Sequence, residues 1–416
     1  VSAHPALLSE TAFVLHRLLA FDRPADAVLS AYFREQRTGP RERAFIADTA
    51  YAVLRRLRTL EHLAAGRQPR RLVLAWLARF GGYTLRQFET LAKPDEIDWL
   101  KAVKAADLAE LPEAVRLDLP DWLHERLATQ YGDGLAALVE ALARPAPLDL
   151  RVNGLRLSRE AASENLAADG IAATPTPYAP FGLRLSGKPA LNKQRLFVDG
   201  VIEVQDEGSQ LLALLTGARR GEMVCDFCAG AGGKTLALGA MMHNSGRLYA
   251  FDVAEKRLAN LKPRLARSGL SNVHPQRIAT ENDVRVKRLA GKFDRVLVDA
   301  PCSGLGTLRR NPDLKWRQTP ATVAELAAKQ GAILNAAARL PKVGGRLVYA
   351  TCSLLAEENE AVVAAFLAAR PEFALVPAAA VLAEQRVALD SGDYFRLDPA
   401  RHGTDGFFAA VLERRA

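Results

Sequence analysis

Through the first 145 residues the apolar positions recur every three or four residues, and few stretches alternate as strands do. Ile46, Thr49, Val53, Leu57 and Leu60 form one such stripe. It predicts a single amphipathic helix, with Arg55, Arg56 and Arg58 on its other sides. Gly81-Gly82 interrupts the pattern. A further helix is predicted from Asp121 to about Tyr131, opened by Pro120 and closed by Gly132. Arg144-Pro145-Ala146-Pro147 then reads as a linker, so residues 1–145 are expected to form a helical domain.

The texture changes after that point. Leu148–Val152 alternates like a strand, Ser158 is placed to cap a short helix ending near Gly170, and Phe181–Leu185 alternates again. Residues 146–205 are therefore expected to form a small α+β module of ferredoxin-like or RRM-like type. From Asp206 onward short apolar runs alternate with helical stretches. The runs are Met223–Cys225, Leu248–Phe251, Val296–Val298 and Leu347–Tyr349, with Gly406–Leu412 as a last strand. Lys256–Ser268 and Ala321–Leu340 are the clearest helices between them. Alternation of this kind predicts an α/β domain over 206–416 with a doubly wound, mainly parallel sheet.

Composition narrows the class. The 416 residues are 49% hydrophobic and 25% charged, which excludes disordered, collagenous and fibrous chains. No run of ~18 apolar residues occurs, so no transmembrane helix is expected, and Val1–Leu8 does not read as a signal peptide. Four cysteines in this length do not make a disulfide framework, and a reduced, cytoplasmic protein is expected. Fifty-six Lys and Arg against 47 Asp and Glu leave a net charge of +9. That excess suits a nucleic-acid partner but does not separate one from an ordinary basic enzyme.

The candidate chemistry gathers at predicted strand ends, where open α/β sheets bind ligands. The first strand runs into Asp226-Phe-Cys-Ala-Gly-Ala-Gly-Gly-Lys-Thr235, the second ends at Asp252, a later one at Asp299-Ala-Pro-Cys-Ser-Gly304, and the next at Thr351-Cys-Ser353. Gly233-Lys234-Thr235 fits the end of a Walker A motif, but Cys228 stands where its first glycine belongs. Gly230-Ala-Gly232 lacks the third glycine of a dinucleotide fingerprint. A nucleoside cofactor without phosphates remains, with Asp252 accepting from ribose hydroxyls; S-adenosylmethionine fits that description. Cys225 and Cys228 lack partners for a metal site, and strand alternation sends Cys225 into the core. Cys302 and Cys352, each in a turn of small polar residues beside Asp299, read as a nucleophile and a supporting thiol.

Taken together, Asp299-Ala-Pro-Cys302-Ser, Thr351-Cys352-Ser and Cys228-Ala-Gly-Ala-Gly-Gly-Lys-Thr235 resemble the Sun/Nop family of RNA cytosine-C5 methyltransferases over most of Gln205–Leu412. Glu42–Leu63 and Pro120–Tyr131 are similar to the NusB-like N-terminal domain of its bacterial Fmu/RsmB branch. The resemblance implies a Rossmann-like domain that binds S-adenosylmethionine through Cys228, Ala229, Gly230, Ala231, Gly232, Gly233, Lys234, Asp252, Thr280 and Asp299. It implies Cys352 as the nucleophile on carbon 6, Cys302 as the thiol needed for release, and Asp299 as the group that recognises the base and stabilises charge. The chain departs from the family pattern at Gly230, usually alanine, at Ala231, usually proline, and at Thr280, usually acidic.

Downstream of the Cys302 loop, Arg309, Arg310, Lys315 and Arg317 surround Trp316. Cations for phosphates and a ring for a base suggest an RNA contact. The resemblance implies a monomeric enzyme acting on RNA, most simply small-subunit (16S) rRNA. The same reaction on tRNA, and a weakly catalytic RNA-binding assembly factor, stand as alternatives.

Overall fold

The computed structural model describes residues 3–416. The chain forms two compact units. One comprises the residues through Pro145 together with Thr307–Pro320; the other comprises Ala146–Gly306 and Ala321–Ala416.

The first unit is helical. Three of its helices, Pro5–Leu18, Pro40–Arg55 and Pro69–Arg79, begin with proline, which is pre-set for the first helical position and lacks the N–H that would go unpaired there. Ile46, Thr49, Val53, Leu57 and Leu60 are all buried in its core, as the stripe requires. The single helix expected there is nevertheless two, Pro40–Arg55 and Leu57–Ala64, separated at Arg56 with φ −114° and ψ 28°. A partner remote in sequence meets the start of the second helix. The N–H of Thr59, left open at the start of the second helix, donates to Oδ1 of buried Asp118 at 2.9 Å, and its hydroxyl reaches Oδ2 at 3.2 Å. A carboxylate 59 residues away does the work of an N-cap. The helix Asp121–Tyr131 lies where Pro120 and Gly132 place it.

The second unit holds two sheets. Strands β1 (Leu148–Val152), β2 (Ala173–Pro175), β3 (Gly182–Leu185) and β4 (Ile202–Val204) form an antiparallel sheet in the order β2-β3-β1-β4. Its helix, Arg159–Ala168, is capped by Ser158, whose hydroxyl accepts from Ala161 N–H. The bidentate ion pair of Arg184 with buried Asp149, at 2.7 and 2.9 Å, ties β3 to β1.

The larger sheet comprises β5 (Met223–Asp226), β6 (Arg247–Asp252), β7 (Val273–Arg277), β8 (Phe293–Asp299), β9 (Pro341–Thr351), β10 (Phe373–Val376), β11 (Phe395–Leu397) and β12 (Phe407–Arg414). Its order is β10-β12-β9-β8-β5-β6-β7, with β11 also on β12. Strands β5 to β9 are parallel, and β12 closes antiparallel on β9. Both faces are apolar: Val296 and Val298 pack on one with Cys225, Leu347 and Tyr349, while Leu297 packs on the other with Val224 and Val348. This is the Rossmann-like fold, and its direction reverses between β5 and β8. The carboxyl ends of those strands and their neighbours therefore open onto the crevice where such folds take ligands. No helix among the described residues is long and apolar enough to cross a membrane.

Candidate active site at the strand ends

The loop after β5 is shaped by glycine. Gly230 and Gly232 have φ of +55° and +85°, the left-handed region that other residues avoid. A Cβ at Gly232 would lie 2.0 Å from Leu261, so the loop also packs too closely for a side chain there. Asp252, at the end of β6, holds the loop: its Oδ2 accepts from Gly230 N–H at 2.8 Å and its Oδ1 from Ala254 N–H at 2.7 Å. The carbonyl of Ala231, the position without proline, accepts from Arg264 at 2.7 Å, and Glu203 grips the same guanidinium. Within the loop Ala229 is buried and Cys228 half-buried. Burial raises the Cys228 thiol pKa well above its ordinary value. Thr280 lies just beyond β7, exposed, its hydroxyl accepting from Asn282 N–H.

Asp226 emerges here as a site residue that motif matching did not single out. It is buried, its Oδ2 accepts from Thr235 at 2.7 Å, and its Oδ1 has no hydrogen-bond partner. Burial pushes its carboxyl up from 3.8 to about 7. An unpartnered buried acceptor beside a glycine loop fits a cofactor that brings its own donors, as the ammonium and hydroxyls of S-adenosylmethionine do.

Lys234 links this loop to the end of β8. Its ammonium lies 2.8 Å from Asp299 Oδ2. Burial alone would lower the pKa of this lysine, but the Asp299 carboxylate outweighs it and holds the value above the ordinary one. One strand over, Cys302 Sγ and Cys352 Sγ are 3.4 Å apart. The hydrogen bond to Cys352, reinforced by burial, raises the Cys302 thiol well above its ordinary range. Gly306 makes the approach possible. Its N–H donates to Cys352 O at 2.8 Å, and a Cβ there would lie 2.2 Å from Gly406 O. Cys225 is fully buried within the sheet core, on the face strand alternation assigns it.

The expected RNA contact is corrected by the helical unit, to which Thr307–Pro320 belongs. Lys315 is buried, with its ammonium 3.0 Å from Arg55 O, and burial pushes its pKa down to about 8. Trp316 donates its indole N–H to Leu54 O at 2.8 Å and packs on the helical core. Arg309 is buried, and Arg55 donates to its carbonyl. Arg310 is half-buried, and Arg317 pairs with Asp313 at 3.5 Å. Spacing resembled a base-stacking platform, but apolar and polar partners more than 250 residues away claim Lys315 and Trp316. Of the N-terminal arginines, Arg58 bonds Leu119 O and Asp121, Arg70 pairs with Glu96, and Arg71 stacks on Trp99. They brace helices. A cavity of about 250 Å³ in this unit is lined by Arg55, Arg56, Arg116, Asp118 and Lys315 among others, and it contains neither thiol.

Comparison with known proteins agrees with this geometry. The family model for the 16S rRNA methyltransferase RsmB/F matches residues 213–413, and the ferredoxin-like domain of RsmF/B-like methyltransferases matches 119–192. The probable ribosomal RNA small subunit methyltransferase B of Synechocystis sp. is 33% identical over 94% of this chain and 96% of that one. The ribosomal RNA small subunit methyltransferase B of Vibrio cholerae is 30% identical over 92% of each. Among solved structures, that of PH0851 superposes over the whole of both chains with a TM-score of 0.80 at 27% identity. A methyltransferase homolog protein from Pyrococcus horikoshii gives 0.63 at 28% identity, over 74% of this chain and all of that one. The chain belongs to the RsmB/F family of 16S rRNA methyltransferases, enzymes that act on RNA and depend on S-adenosylmethionine.

Proposed function

We propose that the protein methylates carbon 5 of a cytosine in small-subunit rRNA, as a cytoplasmic monomer, through a covalent bond from Cys352 to carbon 6. The observation that carries this reading is the pair of thiols 3.4 Å apart beside the Lys234–Asp299 ion pair. Carbon 5 of cytosine is too weak a nucleophile to take a methyl group directly, and covalent addition divides the reaction into easier steps. When bound, S-adenosylmethionine supplies a methyl group on a sulfonium.

Cys352 Sγ adds as thiolate to carbon 6, and the displaced double-bond electrons make carbon 5 nucleophilic. Asp299 is placed to accept hydrogen bonds from the amino group and from N3 once protonated, which neutralises charge entering the ring. Lys234 occupies its Oδ2 through the ion pair at 2.8 Å. After methyl transfer a base takes the carbon 5 proton, the electrons of that C–H bond re-form the ring double bond, and the Sγ–carbon 6 bond breaks with its electron pair leaving on Cys352. Cys302, with its Sγ 3.4 Å from Cys352 Sγ, would be the thiol that assists that release. Asp252 would hold the ribose, and the loop Cys228–Lys234 with Thr280 the remainder of the cofactor. Unstacking is needed to expose carbon 6, so a looped or flipped cytosine is the substrate form.

The test offers labelled S-adenosylmethionine with protein-free 16S rRNA, intact small subunits and tRNA, and identifies the product nucleosides by mass. Label in 5-methylcytidine of rRNA, lost in Cys352→Ala, is expected. Label in tRNA alone, or normal turnover by Cys352→Ala, would overturn the substrate or the nucleophile respectively.

A further inference from the structure

The two cysteine loops leave different strands, β8 and β9, and one buried side chain outside both motifs joins them. Glu358 is fully buried. Its Oε1 accepts from Ser303 N–H at 2.8 Å and from Gln330 Nε2 at 2.9 Å; its Oε2 receives the hydroxyls of both Ser303 and Ser353. Ser303 directly follows Cys302, and Ser353 directly follows Cys352. Four donors fill the acceptor capacity of the carboxylate. No cation is among them, so this is not an ion pair that merely adds stability.

The surroundings lock Glu358 in turn. Gln330 also donates to Pro301 O, the carbonyl before Cys302, at 3.0 Å, and its own carbonyl receives the Tyr349 hydroxyl at 3.1 Å. The next residue, Asn359, works only within the Cys352 loop: it accepts from Thr351 and donates to Ser353 O. Glu358 alone of the two crosses to the other loop.

We propose that Glu358 is a positioning residue for methyl transfer: it clamps Ser303 to Ser353 and thereby sets the distance and direction of Cys302 relative to Cys352. The inference rests on the reading of the two thiols as the reacting pair. It adds a residue that touches neither base nor cofactor. The role is geometric. A carboxamide has the same shape; its oxygen can accept from Ser303 N–H and Gln330, and its nitrogen can donate to the two serine hydroxyls, which accept as well as donate.

The experiment is steady-state methyl transfer with the full-length protein and 16S rRNA, alongside S-adenosylmethionine titration. In Glu358→Ala, kcat is expected to fall about 100-fold, the loss typical of ~1 Å misplacement, with KM for RNA and Kd for the cofactor within about two-fold. Glu358→Gln should recover to within about ten-fold of wild type. If Glu358→Ala does not fold, the Ser303→Ala/Ser353→Ala double variant carries the same expectation. Unchanged kcat in a folded Glu358→Ala or double variant overturns the proposal. So does a Gln variant as inactive as the Ala variant, or a loss confined to KM or Kd. Cys352→Ala separates the two readings: its normal turnover sinks the nucleophile assignment, whereas an inactive Cys352→Ala beside an active Glu358→Ala sinks only the clamp.

Discussion

Replacing Asp226 with asparagine removes a carboxyl that the fold holds near neutrality. The unfolded chain releases this proton near 3.8, and the folded protein keeps it to about 7, because burial outweighs the hydrogen bond from Thr235 and the charge of Lys234, while Asp299 and Asp252 add repulsion. Between those values the folded state binds more protons, so stability falls as pH rises, at about 1.4 kcal/mol per pH unit. A rise of roughly three units makes the full penalty about 4 kcal/mol above neutrality and close to none near pH 4. In Asp226→Asn the amide can still accept from Thr235, but it places a donor at the unpartnered position, which costs about 1–3 kcal/mol at every pH. The variant should therefore be less stable than wild type at pH 4 and more stable at pH 8, the difference moving by about 4 kcal/mol between them. Urea unfolding of both proteins across that range, without cofactor, measures the difference, and contributions from other titrating groups cancel in it. A difference that moves by less than about 1 kcal/mol would refute the claim that Asp226 is held protonated.

Further outcomes follow from the same geometry. Cys302→Ala should retain addition by Cys352 and lose release, so a covalent protein–RNA adduct should accumulate as a shifted band; an active enzyme with no adduct would remove Cys302 from release. Arg264→Ala frees the Ala231 carbonyl and should weaken S-adenosylmethionine binding by about ten-fold, the worth of a charge-assisted hydrogen bond, in a calorimetric titration. An unchanged Kd would show that the loop needs no brace. Trp316→Ala should destabilise the helical unit by about 2–4 kcal/mol while leaving RNA affinity within two-fold, as read by denaturation and filter binding. Weaker RNA binding at unchanged stability would restore the base-stacking role.

What could be read without coordinates was what is local. The parallel strands announce themselves as short apolar runs, and the cofactor and cysteine loops as small residues at strand ends. β7 did not, because Val-His-Pro-Gln-Arg has no apolar run and sits at the sheet edge, where a proline is tolerated. Beyond the break at Arg56, Thr59 N–H finds Asp118, and no helical periodicity contains that residue's position in space. Lys315 and Trp316 misled for the same reason: their partners are at Arg55 and Leu54. Asp226 and Glu358 carry no motif of their own. Asp226 had one available signal, a charged residue ending the first apolar strand. Glu358 had none, since its meaning lies in two serines, one five residues away and the other 55.

The placement of Thr307–Pro320 in the helical unit bears on the order of biosynthesis. Trp316 and Lys315, which pack and hydrogen-bond against the helices of that unit, are made only after the central strands β5 to β8. On the ribosome the core from Leu7 to Val103 can close early, while the Leu54 and Arg55 carbonyls gain their Trp316 and Lys315 partners only once that segment has emerged. Here a helical unit is completed by a segment made after the central strands of the other unit. A nascent chain arrested before residue 307 should accordingly show a helical core less resistant to denaturant than one arrested well beyond 320.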